Sequence, residues 1–313
     1  MIRLLTSSAA AAAALTIAAA QPAAAQPAPV PGPAQVTPPA PTNPAAHPEW
    51  MGRVYPTSME LFQAMKARAK TPAKLPDWGG VWTRARGGLL FDAADPNPKH
   101  VSAPLKPDWA EKYVKKNAEA DKGVEWDNLS YCLPAGYPRW LTEPFLREFI
   151  VTPKETWWIN EQQSEVRRIY TDGRAHVPED EAYALWEGDS IGFWDGDTLV
   201  VHTNNLKANQ YQRRQPDYSD QITTVERIRM SAPNNIQDEV WVYDPVSLNG
   251  PWHVVFDYSK VTNPPDLRIN MWSCEENNNV VKTAEGVTQF VLPGEAGYKD
   301  PNNLQSRGPA PGQ

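Results

Sequence analysis

Ser190-Ile191-Gly192-Phe193-Trp194-Asp195-Gly196-Asp197-Thr198-Leu199-Val200-Val201-His202-Thr203 decides the fold class. Both ends of this stretch are rich in β-branched and aromatic residues, which suit a pleated surface. Between them, Asp195-Gly196 supplies the residue type that reaches positive φ at a hairpin turn. The stretch therefore reads as two antiparallel strands, Ser190–Trp194 and Thr198–Thr203.

The same pattern extends in both directions. Period-two runs occupy Leu146–Val151, Thr156–Asn160, Glu165–Tyr170, Gln221–Met230, Ile236–Tyr243, Trp252–Val261 and Leu267–Cys274. Asp172-Gly173 and Asn249-Gly250-Pro251 punctuate them. No helical period recurs between strands, so a parallel α/β sheet is excluded. Short connections pair neighbouring strands in order. The expected fold is mainly β: an antiparallel meander closing into a lipocalin-like or calycin-like barrel, which removes its edges. A two-layer β-sandwich is the alternative. Two short N-terminal helices precede the strands. In the first, Thr57 or Ser58 caps a stripe of Leu61, Phe62, Met65 and Ala69. In the second, Asp108-Trp109-Ala110-Glu111 has the form of a capping box.

The first residues give an address. Met1-Ile2-Arg3 is a basic start, Leu4 to Ala20 is apolar, and Ala23-Ala24-Ala25 offers a small-residue cleavage site. This is the layout of a secretory signal peptide, with cleavage expected after Ala25. The mature chain then begins with a Pro/Ala-rich linker over 26–49, which can form neither helix nor sheet ladder. A single β-rich domain with a helical N-terminal part follows over 50–294, and a disordered tail over 295–313. The expected location is periplasmic or secreted, with no integral membrane segment in the mature chain. The 313 residues carry 30 Lys plus Arg against 37 Asp plus Glu, a net charge of −7. That balance excludes an electrostatic nucleic-acid binder, whose affinity comes from cations at phosphates. Two cysteines in an exported chain invite a bridge. A Cys132–Cys274 disulfide would close a loop of about 140 residues, worth about 4–5 kcal/mol in the chain-entropy account.

No GxGxxG, P-loop, GxSxG, HExxH or CxxC motif is present, so neither a cofactor nor a metal is expected. Asp195-Gly196-Asp197 lacks the ligands that would make it a calcium loop and reads as a turn. The densest polar-aromatic segment is Arg167 to Pro178. There Tyr170, Asp172, Arg174 and His176 can supply proton donors and anion ligands, or can simply tie a turn. Glu226 stands out by alternation. Ile222, Thr224, Glu226, Ile228 and Met230 share the apolar face of their strand, so Glu226 points inward. A buried carboxylate must be neutral, paired with a cation or open to a wet cavity. With a raised pKa it would serve as a general acid or base; the competing role is a structural ion pair with an Arg on a neighbouring strand. The 13 tryptophans fill a core or line a pocket for a flat ligand, with Trp186 and Trp194 as pocket candidates.

Three runs resemble a family of exported bacterial proteins that carry an Asp-Gly-Arg-x-His motif and an Ile-Gly-x-Trp-x-Gly-Asp-Thr-Leu-Val-Val motif. They are Arg168 to His176, Trp186 to Val201, and Val225-Glu226-Arg227. The resemblance covers roughly 130–275 and implies a bacterial envelope protein with a β-rich fold; it supplies no reaction. The chain departs from the family pattern at three places. His202 stands where Asp is common, Val177 where Pro follows the motif His, and Thr223-Thr224 where a His often precedes Val-Glu-Arg.

Taken together, the sequence reads as an exported β-barrel that binds a small aromatic or lipophilic molecule. Tyr170, Arg174, Trp186 and Trp194 would contact the ligand. The alternative is an acid–base enzyme (lyase, isomerase or hydrolase) that uses Glu226 and His176 in the same cavity. A third reading is a structural or interaction module of the envelope.

Overall fold

The computed structural model describes residues 48–85, 91, 102–122, 127–270, 272, 280–282, 288–291, 294–295 and 298. The expected signal peptide, most of the linker, most of the tail and Cys274 lie outside them. The elements in chain order are α1 (Ser58–Lys66), β1 (Val81–Arg84), α2 (Pro107–Ala120), β2 (Arg147–Val151), β3 (Glu155–Asn160), β4 (Glu165–Tyr170), β5 (Asp189–Asp195), β6 (Thr198–Asn204), β7 (Asn209–Gln210), β8 (Asp217–Tyr218), β9 (Thr223–Ala232), β10 (Asn235–Tyr243), β11 (Trp252–Lys260), β12 (Val280–Lys282) and β13 (Thr288–Phe290).

Nine of the strands close into a barrel in the order β1-β11-β10-β9-β6-β5-β4-β3-β2. The barrel, not the sandwich, is the architecture. β7 with β8 and β12 with β13 form two-stranded sheets of their own. The deciding hairpin, β5–β6, forms, with Trp194 opposite Leu199 and Asp195 opposite Thr198. Gly196 at its tip has φ +62°.

The structure departs from the sequence reading in four places. Strand β1 escapes it, because Val-Trp-Thr-Arg is too short to show a period, yet it pairs with both β2 and β11 and closes the barrel. Strands β4 and β5 run parallel, not antiparallel, so segment 171–188 is a crossover rather than a hairpin loop. Residues 267–270 are not a strand. Helix α2 begins at Pro107 rather than under an Asp108 capping box: Pro presets the helical φ and its missing N–H is one the helix start could not use.

Alternation sorts the side chains into two cores. Inside the barrel, Trp82, Phe149, Trp158, Trp194, Leu199, Ile228, Val240, Phe256 and Tyr258 pack together. Outside it, α1 lays Leu61, Phe62 and Met65 over Ile191, Val200, Val225 and Trp241. That outer layer explains why β6 is buried at every position from Thr198 to Thr203. Trp157 and Trp158 point to opposite faces, as adjacent strand residues must. Trp158 is fully buried, and Trp157 stacks under the Arg168 guanidinium, whose carbon lies 4.5 Å from the ring centre.

Candidate functional site

Glu226 does point into the barrel and is fully buried. Its partner is Arg167, whose Nη1 donates to Oε1 at 2.9 Å while Nη2 donates to Oε2. Arg167 lies on β4, which is not a neighbour of β9, so the pair spans the interior. The same guanidinium donates to Ser190 Oγ at 3.1 Å and Thr203 Oγ1 at 2.7 Å, and lies 3.8 Å above the Tyr137 ring. Tyr137 is hydrogen-bonded to Thr224 at 2.8 Å. Nearby Asp238 is also fully buried, and burial and the Glu226 charge raise its carboxyl well above the ordinary range. Glu226 is thus engaged as a counter-ion, in an ion pair with an Arg across the interior rather than the expected Arg on a neighbouring strand.

Tyr170 and Arg174 lie elsewhere. Arg174 pairs with Asp172 at 2.7 Å and covers the Tyr170 ring at 3.9 Å, and its side chain is half exposed. This cluster ties the surface turn. Trp186 lines a cavity of about 490 Å³ with Trp109, Asn209 and Asp217. Trp194 packs on Trp78 at the barrel core and borders a different cavity with Pro153 and Thr171. The expected site residues therefore do not converge on one cavity.

His176 leads instead to a cluster on the outer wall. The 171–188 crossover carries His176 to the start of β5. There Asp189 Oδ2 lies 2.8 Å from His176 Nδ1 and accepts from the Val177 amide at 2.9 Å. His176 Nε2 lies 2.7 Å from Nδ1 of His202. In β6, Val201 faces Glu226 and the interior, so His202 faces outward, toward α1. His202 Nε2 lies 2.9 Å from Ser58 Oγ, and Ser58 Oγ lies 2.7 Å from Thr223 Oγ1. Ser58 is free for this because Thr57 takes the helix cap, its hydroxyl accepting from the Glu60 amide.

Ionisation constrains both ends of this hydrogen-bond chain. Burial alone would raise the Asp189 carboxyl, but hydrogen bonds from His176 and the Val177 amide hold it below the ordinary range. Burial and the adjacent His176 push the His202 imidazole down to about 3, so it is neutral at physiological pH. An anionic Asp189 accepts only, so His176 Nδ1–H donates to it; in the neutral form of His176 its Nε2 accepts. His202 Nδ1–H then donates to His176, and His202 Nε2 accepts from the Ser58 hydroxyl. Thr223 in turn donates to Ser58. Every donor has an acceptor, and the sequence ends on an alcohol oxygen.

That alcohol borders a cavity of about 590 Å³, lined among others by Ser58, Thr223, Tyr243, Lys106, Pro245 and Leu248. A Ser hydroxyl hydrogen-bonded to a neutral imidazole that is backed by a carboxylate is the arrangement of an activated nucleophile. Here a second imidazole stands between the base and the carboxylate. Among the described residues, no three His, Cys, Asp or Glu side chains are grouped to hold a metal ion.

Sequence reasoning found His176 and missed Asp189, His202 and Ser58. A signal for His202 was available: alternation puts it on the outer face of β6 beside Val200, the face that α1 covers. Nothing local marked Ser58, which comes to His202 from 144 positions away. Compared with known proteins, the chain matches no family model and no curated protein.

Proposed function

We propose that this protein is an exported hydrolase that cleaves a small ester with Ser58 as nucleophile. The observation that carries the reading is the hydrogen-bond chain from Asp189 through His176 and His202 to a hydroxyl on a cavity wall. In the first half-reaction Ser58 Oγ bonds to the ester carbonyl carbon and the carbonyl π pair moves onto its oxygen. The Ser58 proton goes to His202 Nε2 while the His202 Nδ1 proton passes to His176 Nε2. The resulting imidazolium then sits against Asp189, where its charge is stabilised. Collapse breaks the bond to the leaving alkoxide, which takes the relayed proton. Water repeats the steps on the acyl-enzyme, releasing the acid and restoring the Ser58 hydroxyl.

Export rests on the N-terminal pattern and on the family resemblance. A Cys132–Cys274 bridge belongs to the same reading, because the exported compartment is oxidising. The test is labelling of the full chain with a fluorophosphonate, followed by peptide mass spectrometry and assay on 4-nitrophenyl acetate. The reading expects the label on Ser58 and a loss of at least about 10³-fold in kcat/KM for Ser58→Ala. An unlabelled Ser58 with undiminished turnover in Ser58→Ala would overturn it. A second reading, capture of a small aromatic molecule, is favoured by the separate cavity where Trp109 and Trp186 lie together. Quenching of indole fluorescence that disappears in Trp186→Phe checks it.

A further inference from the structure

The cavity beside Ser58 carries chemistry that the relay does not use. Tyr243 lies directly opposite Thr223 across the β9–β10 pair, on the same outward face. It lines the cavity and is more than nine-tenths buried, and its hydroxyl has no hydrogen-bond partner among the described residues. A buried phenol without a partner is costly, so a donor of this kind is placed for something that arrives. Burial, with the nearby Glu60 charge, raises its pKa, which keeps the proton on the hydroxyl. Ser58 and Met59 occupy the first turn of α1, where amide N–H groups have no intrahelical acceptor and the helix dipole favours negative charge.

The charges on the cavity wall are unequal. Asp244 is spent: it accepts from the Ser219 amide and hydroxyl and from the amides of Val246 and Ser247. Among the described residues, Lys106 donates only to the Pro245 carbonyl and no acid pairs with it. One of the three ammonium protons is thereby used. The cavity lining also has an apolar part, with Pro56, Pro245, Leu248 and Pro251.

We infer that the cavity takes an ester with a short apolar arm ending in a carboxylate, bound by Lys106, while Tyr243 donates to the reacting carbonyl oxygen. This rests on the hydrolase reading for its chemistry, but the anion site stands on geometry of its own. Tyr243 would act as an oxyanion donor, stronger in the transition state than in the ground state. Lys106 would select the substrate by charge.

The probes are 4-nitrophenyl butyrate and 4-nitrophenyl hemisuccinate, which are of similar size and differ by one negative charge. The inference expects kcat/KM for the hemisuccinate to exceed that for the butyrate by about tenfold or more, corresponding to about 1.4 kcal/mol. Lys106→Met should bring the ratio to about one, and Lys106→Arg should keep it above one. Tyr243→Phe should lower kcat by about 10²-fold with little change in KM. A ratio near one in the unchanged protein, or one indifferent to Lys106→Met, overturns the anion site. Full kcat in Tyr243→Phe overturns the oxyanion role. Failure of hydrolysis itself is read separately, with the non-hydrolysable succinic acid mono-4-nitroanilide in calorimetry. Binding that Lys106→Met abolishes supports the anion site even without turnover, and absent binding overturns it.

Discussion

Removing Arg167 tests whether the barrel interior depends on its central ion pair. Arg167 makes four hydrogen bonds, two to Glu226 and one each to Ser190 and Thr203, and both members of the pair are buried. Arg167→Met keeps the apolar stem and removes the charge. It leaves Glu226 without a counter-ion, beside Asp238, in a buried interior. Breaking a buried pair from one side costs about 3–5 kcal/mol. For a domain of this size each kcal/mol lowers Tm by about 2–4 °C, so the expected fall is about 6–20 °C. Glu226→Gln should cost less. It removes the charge that raises Asp238, and Asp238 can then ionise and serve Arg167 instead. The pair replaced together, Arg167→Met with Glu226→Leu, should recover most of the single-variant loss, because no unpaired charge remains. Urea and thermal unfolding followed by circular dichroism measure all three. A loss below about 1 kcal/mol for Arg167→Met, or a larger loss for Glu226→Gln than for Arg167→Met, refutes the argument.

Three further outcomes follow from the same physics. Asp238→Asn should raise Tm at pH 7, because burial and Glu226 raise the folded pKa and the unfolded chain ionises freely; the gain should shrink as pH falls toward 4, and thermal melts across that range check it. His202 has the opposite sign: the unfolded imidazole binds a proton below about 6.5, whereas the folded one refuses it until about 3. Stability should therefore fall with acidification through that window by up to about 1.4 kcal/mol per pH unit, and His202→Gln should flatten the profile in urea titrations at stepped pH. Gly188 has φ +65°, and an added Cβ would meet the Asn204 carbonyl oxygen at 2.6 Å. Gly188→Ala should cost about 1–3 kcal/mol in urea unfolding and lower ester turnover, by shifting Asp189 away from His176.

The barrel was legible because its signal is local. Alternation in β9 placed Glu226 inward correctly, and the Asp195-Gly196 turn marked the β5–β6 hairpin. What was illegible is whatever depends on distance along the chain. β1 has no period of its own and is defined by Trp82 standing beside Arg147 and Lys260. The parallel β4–β5 pair depends on where a long crossover returns, which turn chemistry does not encode. The site follows the same division. His176 drew attention because it sits in a dense polar loop. Glu226 drew attention because it is a charge on an apolar face, and alternation alone does not say whether an Arg stands across the interior. Ser58 looked like one of two candidate helix caps, and only the fold shows that Thr57 does that work and leaves its neighbour for His202.

Because β1 is held by β2 on one side and β11 on the other, the closing strand is made early and seated late. Arg84 leaves the ribosome about 175 residues ahead of Lys260, roughly 10–35 s at ordinary synthesis rates. Until β11 is complete, β1 and β10 each lack the neighbour that closes the barrel and present an open edge. A nascent chain of this topology therefore needs a holding partner, or a route that keeps it unfolded, until its last barrel strand is complete. A chain stopped after Tyr243 should aggregate rather than rest as a partial barrel.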